Sequence, residues 1–450
     1  MKKTRIVNYA AGILLVAATL PYSVCRADNP IIQTKFTADP APLVHDGVVY
    51  LYTTHDEDDA RGFTMYDWML YSSTDMVNWT DLGIVAGVKD PKTFAWADGR
   101  NAWAPQCIEK DGKFYLYCPT VRSGHMVIGV AVSDSPKGPF TDAIGEPLIF
   151  NPDSNDDIDP TVFIDDDGQA YLYWGHQRIF YVKLNADMIS YSGEINEFGR
   201  PELFEEGPWY YKRNGKYYLA FASICCPEGI GYAMSDKPTG PWTTKGYIMK
   251  PKAASSGNHP GIVDYKGKTY VFGFNYNLNF SDDLKHRERR SVCVEEMEYA
   301  EDGTIVELPW WTREGAPQIE PLNPYVRTEA ETICWSVGLK TEKCSEGGMN
   351  VCNIDNWDYI KVSGVDFGSG AKTFRARVAS ETEGGSIEIR LDHPKGPLVG
   401  TCTVTGTDGW QTWATVSCPV SGATGVHDLY FWFTGDSEPL FNFNWWQFEQ

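Results

Sequence analysis

The chain is short of positive charge, of helical periodicity and, past its first two dozen residues, of any long apolar run. Its 450 residues hold 39 Lys and Arg against 60 Asp and Glu, a formal net charge of -21. Phosphate backbones are held by cationic patches, so nucleic acid is excluded as the main partner. An anionic membrane surface or an acidic polysaccharide is disfavoured for the same reason. A neutral ligand stays compatible, although acidity alone also confers solubility. No later segment reaches the ~18 apolar residues of a membrane span. The 11 cysteines recur at no fixed spacing and support no zinc site. The adjacent Cys225-Cys226 is not a metal motif. Most thiols read as buried small hydrophobes, although an exported chain permits disulfides.

The first residues have the form of a secretion signal, residues 1–27. Lys2, Lys3 and Arg5 are a basic start, an apolar stretch covers 10–20, and small residues lead to a cleavage site after Ala27. This implies export to a periplasmic or extracellular space. Lipid attachment at Cys25 is disfavoured, because Val24 stands where a small residue is expected.

What is abundant is aromatic residue, 14% of the chain with 16 Trp and 25 Tyr, and it is arranged in a repeat. Five prolines, Pro40, Pro105, Pro160, Pro208 and Pro260, are each followed by a glycine that opens a Tyr-rich run: Gly47, Gly112, Gly168, Gly215 and Gly267. The glycines lie 47 to 65 residues apart, close to the period of propeller blades built from strands. Asp46-Gly47, Asp111-Gly112, Asp167-Gly168 and Asn214-Gly215 are type I′ hairpin signals. Ser-Asp-Ser-Pro-Lys-Gly-Pro-Phe at 133–140 is echoed by Ser-Asp-Lys-Pro-Thr-Gly-Pro-Trp at 235–242, both turn signals. Residues 30–320 are therefore expected to form an all-β, five-bladed β-propeller. Pro317, Pro321 and Pro324 suggest a linker. Short alternating strands over 327–450 suit a β-sandwich of jelly-roll type.

The repeat also aligns acids. Asp39, Asp159 and Glu206 lie at the prolines of the first, third and fourth copies, and an extended backbone is expected before each proline. Bringing like charges together inside a protein raises at least one pKa. A protonated acid beside an ionised one is what cleavage of a glycosidic bond requires. A single Asp-Pro is most often only a turn; three acids at one phase favour function. Asp156, Asp157, Asp165, Asp166 and Glu205 fall off the phase and are expected to be solvated.

These stretches carry a resemblance. ADPAPLVHDGVVYLYTTHD, WAPQCIEKDGKFYLY, DIDPTVFIDDDGQAYLYWG, EEGPWYYKRNGKYYL, NHPGIVDYKGKTYVF and RRSVCVEEMEY resemble, in order, glycoside hydrolase family 43. The resemblance implies an inverting mechanism with Asp39 as general base, Asp159 as the acid that tunes its neighbour, and Glu206 as general acid. It further implies substrate contact by Arg290, a stacking Trp103, and His259 facing the substrate or a calcium ion. Trp209 and Phe36 have weaker claims. Packing explains Trp103 nearly as well, and a salt bridge would explain Arg290.

The second region resembles a carbohydrate-binding module of family 6, through Glu329-Ala330-Glu331, GGMNVCNIDNWDYIKV, GWQTWATV and FNFNWWQFE. Such modules hold a structural calcium, which Glu329 and Glu331 match as oxygen ligands. Trp410 and Asn442 match two members of the sugar cleft. Asn353 stands where the family has Tyr, with Trp357 nearby as a replacement. A module that merely packs on the propeller is the alternative.

Propeller and module in this order look like arabinoxylan arabinofuranohydrolases, so removal of α-L-arabinofuranosyl branches is the expected activity, by a monomer with no organic cofactor. An exo-β-xylosidase acting on xylo-oligosaccharides is the alternative within the family, ahead of an endo-arabinanase. A non-catalytic sugar-binding propeller would be expected to lack one of the three acids. A retaining fructan hydrolase would carry an Asn-Asp-Pro-Asn start and a Glu-Cys motif, neither of which occurs.

Overall fold

The computed structural model describes residues 25–58, 62–152, 154–252, 255–279 and 289–450. The apolar stretch of the expected signal lies outside them. Tyr-, Val- and Leu-rich runs bounded by Gly, Asp and Pro become antiparallel meanders. The first sheet comprises Phe36–His45, Val48–Asp56, Asp67–Ser73 and Trp79–Gly87; the second, Gln106–Lys110, Lys113–Arg122, His125–Ser133 and Thr141–Asp142. The third comprises Thr161–Ile164, Ala170–Trp174, Ile179–Leu184 and Tyr191–Phe198; the fourth, Phe204–Arg213, Lys216–Ser223, Ile230–Ser235 and Thr243–Met249. The fifth has three strands, Gly261–Tyr265, Lys268–Asn275 and Ser291–Met297. Among the described residues the one helix is Pro91–Phe94, capped by Asp90.

Each sheet is tied to the next. Tyr52 OH donates to the Pro136 carbonyl (2.6 Å), Val162 N to Gln106 Oε1 (2.6 Å), Tyr210 N to Thr161 Oγ1 (3.2 Å) and Arg213 Nη1 to Asp264 Oδ2 (3.0 Å). Thr37 N then donates to the Arg290 carbonyl (2.9 Å), returning the fifth sheet to the first. The closed order lets five chain-distant strand starts share one neighbourhood. Aromatic side chains fill the spaces between sheets, with Tyr52, Trp68, Trp79, Tyr117 and Trp174 fully buried.

The hairpin signals are realised with one exception. Asp46-Gly47, Asp111-Gly112 and Asn214-Gly215 place both residues at positive φ, as type I′ turns demand, and so does Lys266-Gly267. At 167–168 only Gly168 is left-handed. There Asp165 N donates to the Gln169 carbonyl, and the Asp165 and Asp167 carboxylates cap the amides of Asp166 and Gln169. Side-chain caps support a longer turn, so the expected two-residue turn is corrected at this copy.

The second region is two packed sheets. One carries Lys340–Lys343, Met349–Cys352, Asn442–Glu449, Thr373–Ala379 and Ala414–Pro419; the other Trp335–Val337, Tyr359–Asp366, Val426–Thr434, Gly384–Leu391 and Leu398–Thr405. Phe374, Ile387, Phe431, Phe443 and Trp446 form the layer between them. The proline-rich stretch before it is not a free tether. Gln318 Nε2 donates to Asp75 and to the Ser363 carbonyl, and Thr332-Ile333 adds a fifth strand to the first sheet by pairing with Thr80 and Trp79. Asn78 and Ser363 exchange two hydrogen bonds (2.9 and 2.8 Å), and Thr341 Oγ1 donates to buried Asp81 (2.6 Å). At the other end Arg26–Asp28 pairs with Glu314–Pro317, with Ala27 buried. A cut after Ala27 would remove two of that strand's three residues.

Candidate active site

A cavity of about 110 Å³ opens where the starts of the five sheets meet, and one residue from each lines it: Asp39, Ala104, Asp159, Glu206 and His259. It has several times the ~10–15 Å³ that admits one water. Asp39, Asp159 and His259 are buried and Glu206 is partly exposed. The strand starts are not plainly extended, as the prolines had suggested. Asp39 and Asp159 have φ of 51° and 56°, and Gly207 has 63°. Asp tolerates this left-handed region better than most residues. The strict equivalent of the two aspartates in the fourth sheet is thus Gly207, with Glu206 one position earlier. A Cβ on Gly207 would stand 3.1 Å from the His259 ring, so position and φ both call for glycine. The strands bulge at these points, between Ala38 and Ala41 and between Glu206 and Trp209, which turns the acids toward the cavity.

The three acids are held differently. Asp39 accepts from Arg290 Nη1 and Nη2 (3.0 and 3.3 Å) and from Thr54 Oγ1 (2.9 Å). All are donors, so Asp39 is fixed as an acceptor. Asp159 accepts from Gly207 N (3.0 Å). Burial pushes its carboxyl well above the usual carboxylate range, and the nearby Glu206 and Asp39 add to this. The Glu206 carboxyl makes no hydrogen bond among the described residues, and burial raises it as well, with His176 opposing and Asp39 adding. The pair therefore retains a proton where ordinary carboxylates have lost theirs.

Arg290 lines the cavity and is held by several partners. Its Nε and an Nη2 N–H go to Asp56 (3.1 and 3.0 Å), one N–H from each Nη goes to Asp39, and the remaining Nη1 N–H goes to the Gly257 carbonyl (3.0 Å). All five donors are spent. Its guanidinium carbon lies over the rings of Phe63 and Phe274, 5.0 and 5.5 Å from their centroids. Arg290 thus makes the salt bridge that is the other reading of it, holding Asp39, and it also lines the cavity. Trp103 lines the cavity half-buried, its Nε1 directed to the Phe63 carbonyl (3.3 Å), which leaves ring surface for stacking. Trp209 is core and does not line the cavity. His259 is held neutral, its pKa lowered to about 4 by burial and by Arg290 against Asp39. The clusters of His, Cys, Asp and Glu close enough to share an ion, among the described residues, do not include it.

The off-phase acids are not all solvated. Asp157 is buried, accepting from Asn151 N and Trp174 Nε1. Asp165 binds Lys212 and Tyr217, and Glu205 binds Gln177. Of the five acids expected to be solvated only Asp166 is largely exposed, and even it reaches Lys212. Eight of the nine free cysteines are buried, whereas Cys225 and Cys226 are bonded to each other.

In the sandwich, Asn442 is buried and gives both amide N–H groups away, to Glu342 Oε1 (2.7 Å) and the Trp410 carbonyl (2.8 Å). Trp410 is half-exposed and Asn353 exposed. Trp357 is two-thirds exposed. It lines a separate depression with Trp432 and Arg390, apart from Trp410 and Asn442. Glu331 is buried with Oε2 unpartnered, as is Asn444 Oδ1, and burial pushes the Glu331 carboxyl well up, with Glu329 adding. The orphaned oxygens of Glu331 and Asn444 are of the kind a calcium ion takes, although the clusters of three or more acidic, His or Cys side chains among the described residues include neither Glu329 nor Glu331. Glu329 itself is paired with Arg327 (3.1 Å) and would exchange that partner for the ion.

Comparison with known proteins agrees with this geometry. Glycosyl hydrolases family 43 matches residues 27–305, and Carbohydrate binding module (family 6) matches 329–450. The chain belongs to glycoside hydrolase family 43. An arabinoxylan arabinofuranohydrolase of Paenibacillus polymyxa is 37% identical over 93% of this chain and 74% of its own. The solved structure of a family 43 arabinoxylan arabinofuranohydrolase from Bacillus subtilis, in complex with cellotetraose, is 34% identical, covers 94% of this chain and 98% of its own, and superposes with a TM-score of 0.81. A family 43 β-xylosidase/α-arabinofuranosidase from a compost microbial metagenome, in complex with xylotriose and in a calcium-free form, is 32% identical. It covers 64% of this chain and 98% of its own, with a TM-score of 0.57.

Several residues of this family 43 site escaped the sequence reading. Phe63 and Met65 enter the cavity from the irregular segment after Asp56, which has no repeat phase to place it. Asp56 ends the second strand of the first sheet, where its partnership with Arg290 has no local signal. Gly257 precedes the repeat by three residues and signals only a turn.

Proposed function

We propose that this chain is an exported α-L-arabinofuranosidase that removes arabinofuranosyl branches from arabinoxylan with inversion. The observation that carries this reading is the small cavity lined together by Asp39, Asp159 and Glu206, alongside the relatives that share the whole two-region layout. Glu206, kept protonated, gives its proton to the glycosidic oxygen as the bond to the anomeric carbon breaks. Asp39 takes a proton from the water that attacks that carbon from the opposite face. Burial, with Asp39 adding, keeps Glu206 protonated, and Asp159, which shares the retained proton with it, sets its position through Gly207. A cavity of about 110 Å³ suits removal of a single terminal residue rather than cleavage within a chain.

The five linked sheets are read as the blades of a five-bladed propeller, and Glu329 and Glu331 as ligands of a structural calcium. The acidic surface suits a neutral xylan, and the protein is proposed to act as a monomer. Exo-β-xylosidase activity is the second reading, favoured by the likeness to an enzyme with both names. Incubation with wheat arabinoxylan and with xylo-oligosaccharides tests both. Free arabinose from the polymer supports the first reading and free xylose from the oligosaccharides the second. Retained binding with release of neither would indicate a sugar-binding propeller.

A further inference from the structure

Beside the three acids lies a fourth that the proposed chemistry does not use. Glu228 is 1% exposed, in the turn between Lys216–Ser223 and Ile230–Ser235. Its Oε2 accepts the backbone N–H of Asn258 at 2.7 Å, and its own N–H donates to the Ser255 carbonyl at 3.1 Å. This two-way clasp fixes the stretch 255–259, which supplies Gly257 and His259 to the cavity wall.

Gly257 stands at φ +71°, and a Cβ there would meet Arg290 Nη1 at 3.0 Å. The absent side chain is what lets the Gly257 carbonyl approach the guanidinium to 3.0 Å. The same Nη1 reaches Asp39 Oδ1 at 3.0 Å. A continuous path therefore runs from the Glu228 carboxyl through the peptide between Gly257 and Asn258 to Arg290 and on to Asp39.

We propose that Glu228 is a positioning residue for the base: by clasping Asn258 it sets the Gly257 carbonyl that fixes the rotation of Arg290, and Arg290 in turn orients Asp39. The proposal rests on the reading of Asp39 as the base. Burial, with Glu206 adding, pushes the Glu228 carboxyl up to about 8, so it adds little negative charge to the site at neutral pH. A neutral amide should then serve in its place, because what the path needs is an oxygen acceptor at that point.

Steady-state kinetics on an aryl α-L-arabinofuranoside, with melting curves on the same preparations, test this. Glu228→Ala is expected to lower kcat by ~10–100-fold, as a small misplacement of a catalytic group does, with KM within about threefold. Glu228→Gln is expected to restore kcat to within about threefold of the wild type. Should Glu228→Ala fail to fold, Gly257→Ala strikes the same path from the other side and is expected to show the same loss in kcat. Wild-type kcat in Glu228→Ala or Gly257→Ala, a loss confined to KM, a loss that only follows the folded fraction, or equal damage from Gln and Ala would overturn the proposal. Absence of hydrolysis by the wild type would instead overturn the functional reading.

Discussion

Arg290 grips Asp39 through two parallel N–H groups, at 3.0 and 3.3 Å, while its remaining donors hold Asp56 and the Gly257 carbonyl. The arginine comes from the last sheet of the ring and the aspartate from the first, so closure of the ring and placement of the base are one event. Lysine cannot reproduce two side-by-side carboxylate contacts. Arg290→Lys is therefore expected to lose activity by ~100-fold or more, and Arg290→Ala to destabilise the fold by about 3–5 kcal/mol, since it leaves two buried carboxylates unpaired. Hydrolysis rates and chemical denaturation read the two effects separately.

The Glu206 carboxyl has no hydrogen-bond partner among the described residues, as suits the proposed proton donor. Glu206→Gln is expected to keep most sugar affinity yet lose ~10²–10⁴-fold in turnover of arabinoxylan. An aryl glycoside whose leaving group needs no proton should suffer much less. Unchanged turnover of the polymer in this variant would sink the assignment.

The raised carboxyls of Glu206 and Asp159 fix the sign of the pH dependence. Activity needs Glu206 protonated, so it is lost as pH rises through a value above the ordinary glutamate range. Asp159→Asn removes a like-charged neighbour, and the basic limb of its pH–rate profile is expected to move to lower pH. The same shifts act on stability. A group whose folded pKa is raised stabilises fully below its unfolded value, and that contribution is lost as pH rises through the folded value. Glu228, at about 8, therefore makes the fold less stable at pH 9 than at pH 5, and Glu228→Gln is expected to flatten that decline. Melting temperature against pH checks it.

Calcium should stabilise the second region through Glu329 and Glu331. Adding the ion at a hundredfold over its Kd is expected to contribute about 2.7 kcal/mol, a gain that Glu331→Gln should abolish. Calorimetry with and without a chelator decides this. Equal melting of the two forms would remove the ion from the account.

How far the sequence could be read depended on periodicity. The proline–glycine repeat led to five sheets and to three acids at one cavity, because each copy repeats the same local code. It misjudged what that code does at its central residue, where Asp39 and Asp159 are left-handed rather than extended and Gly207 displaces Glu206 by one position. It also left out what no local pattern encodes. Arg290 was visible as an arginine, but its choice of Asp39 and Asp56 depends on strands more than two hundred residues apart. In the sandwich, Asn442 matched a sugar-cleft position, yet burial and two local acceptors occupy its amide.

If Asp39 and Glu206 act on opposite faces of a terminal arabinofuranosyl residue, the sugar leaves with its anomeric configuration inverted. Proton NMR of wheat arabinoxylan during the first minutes of digestion tests it most directly. Free arabinose released as the β anomer, before mutarotation and with the xylan backbone intact, is the predicted result. Arabinose appearing first as the α anomer, or xylose in its place, would contradict it.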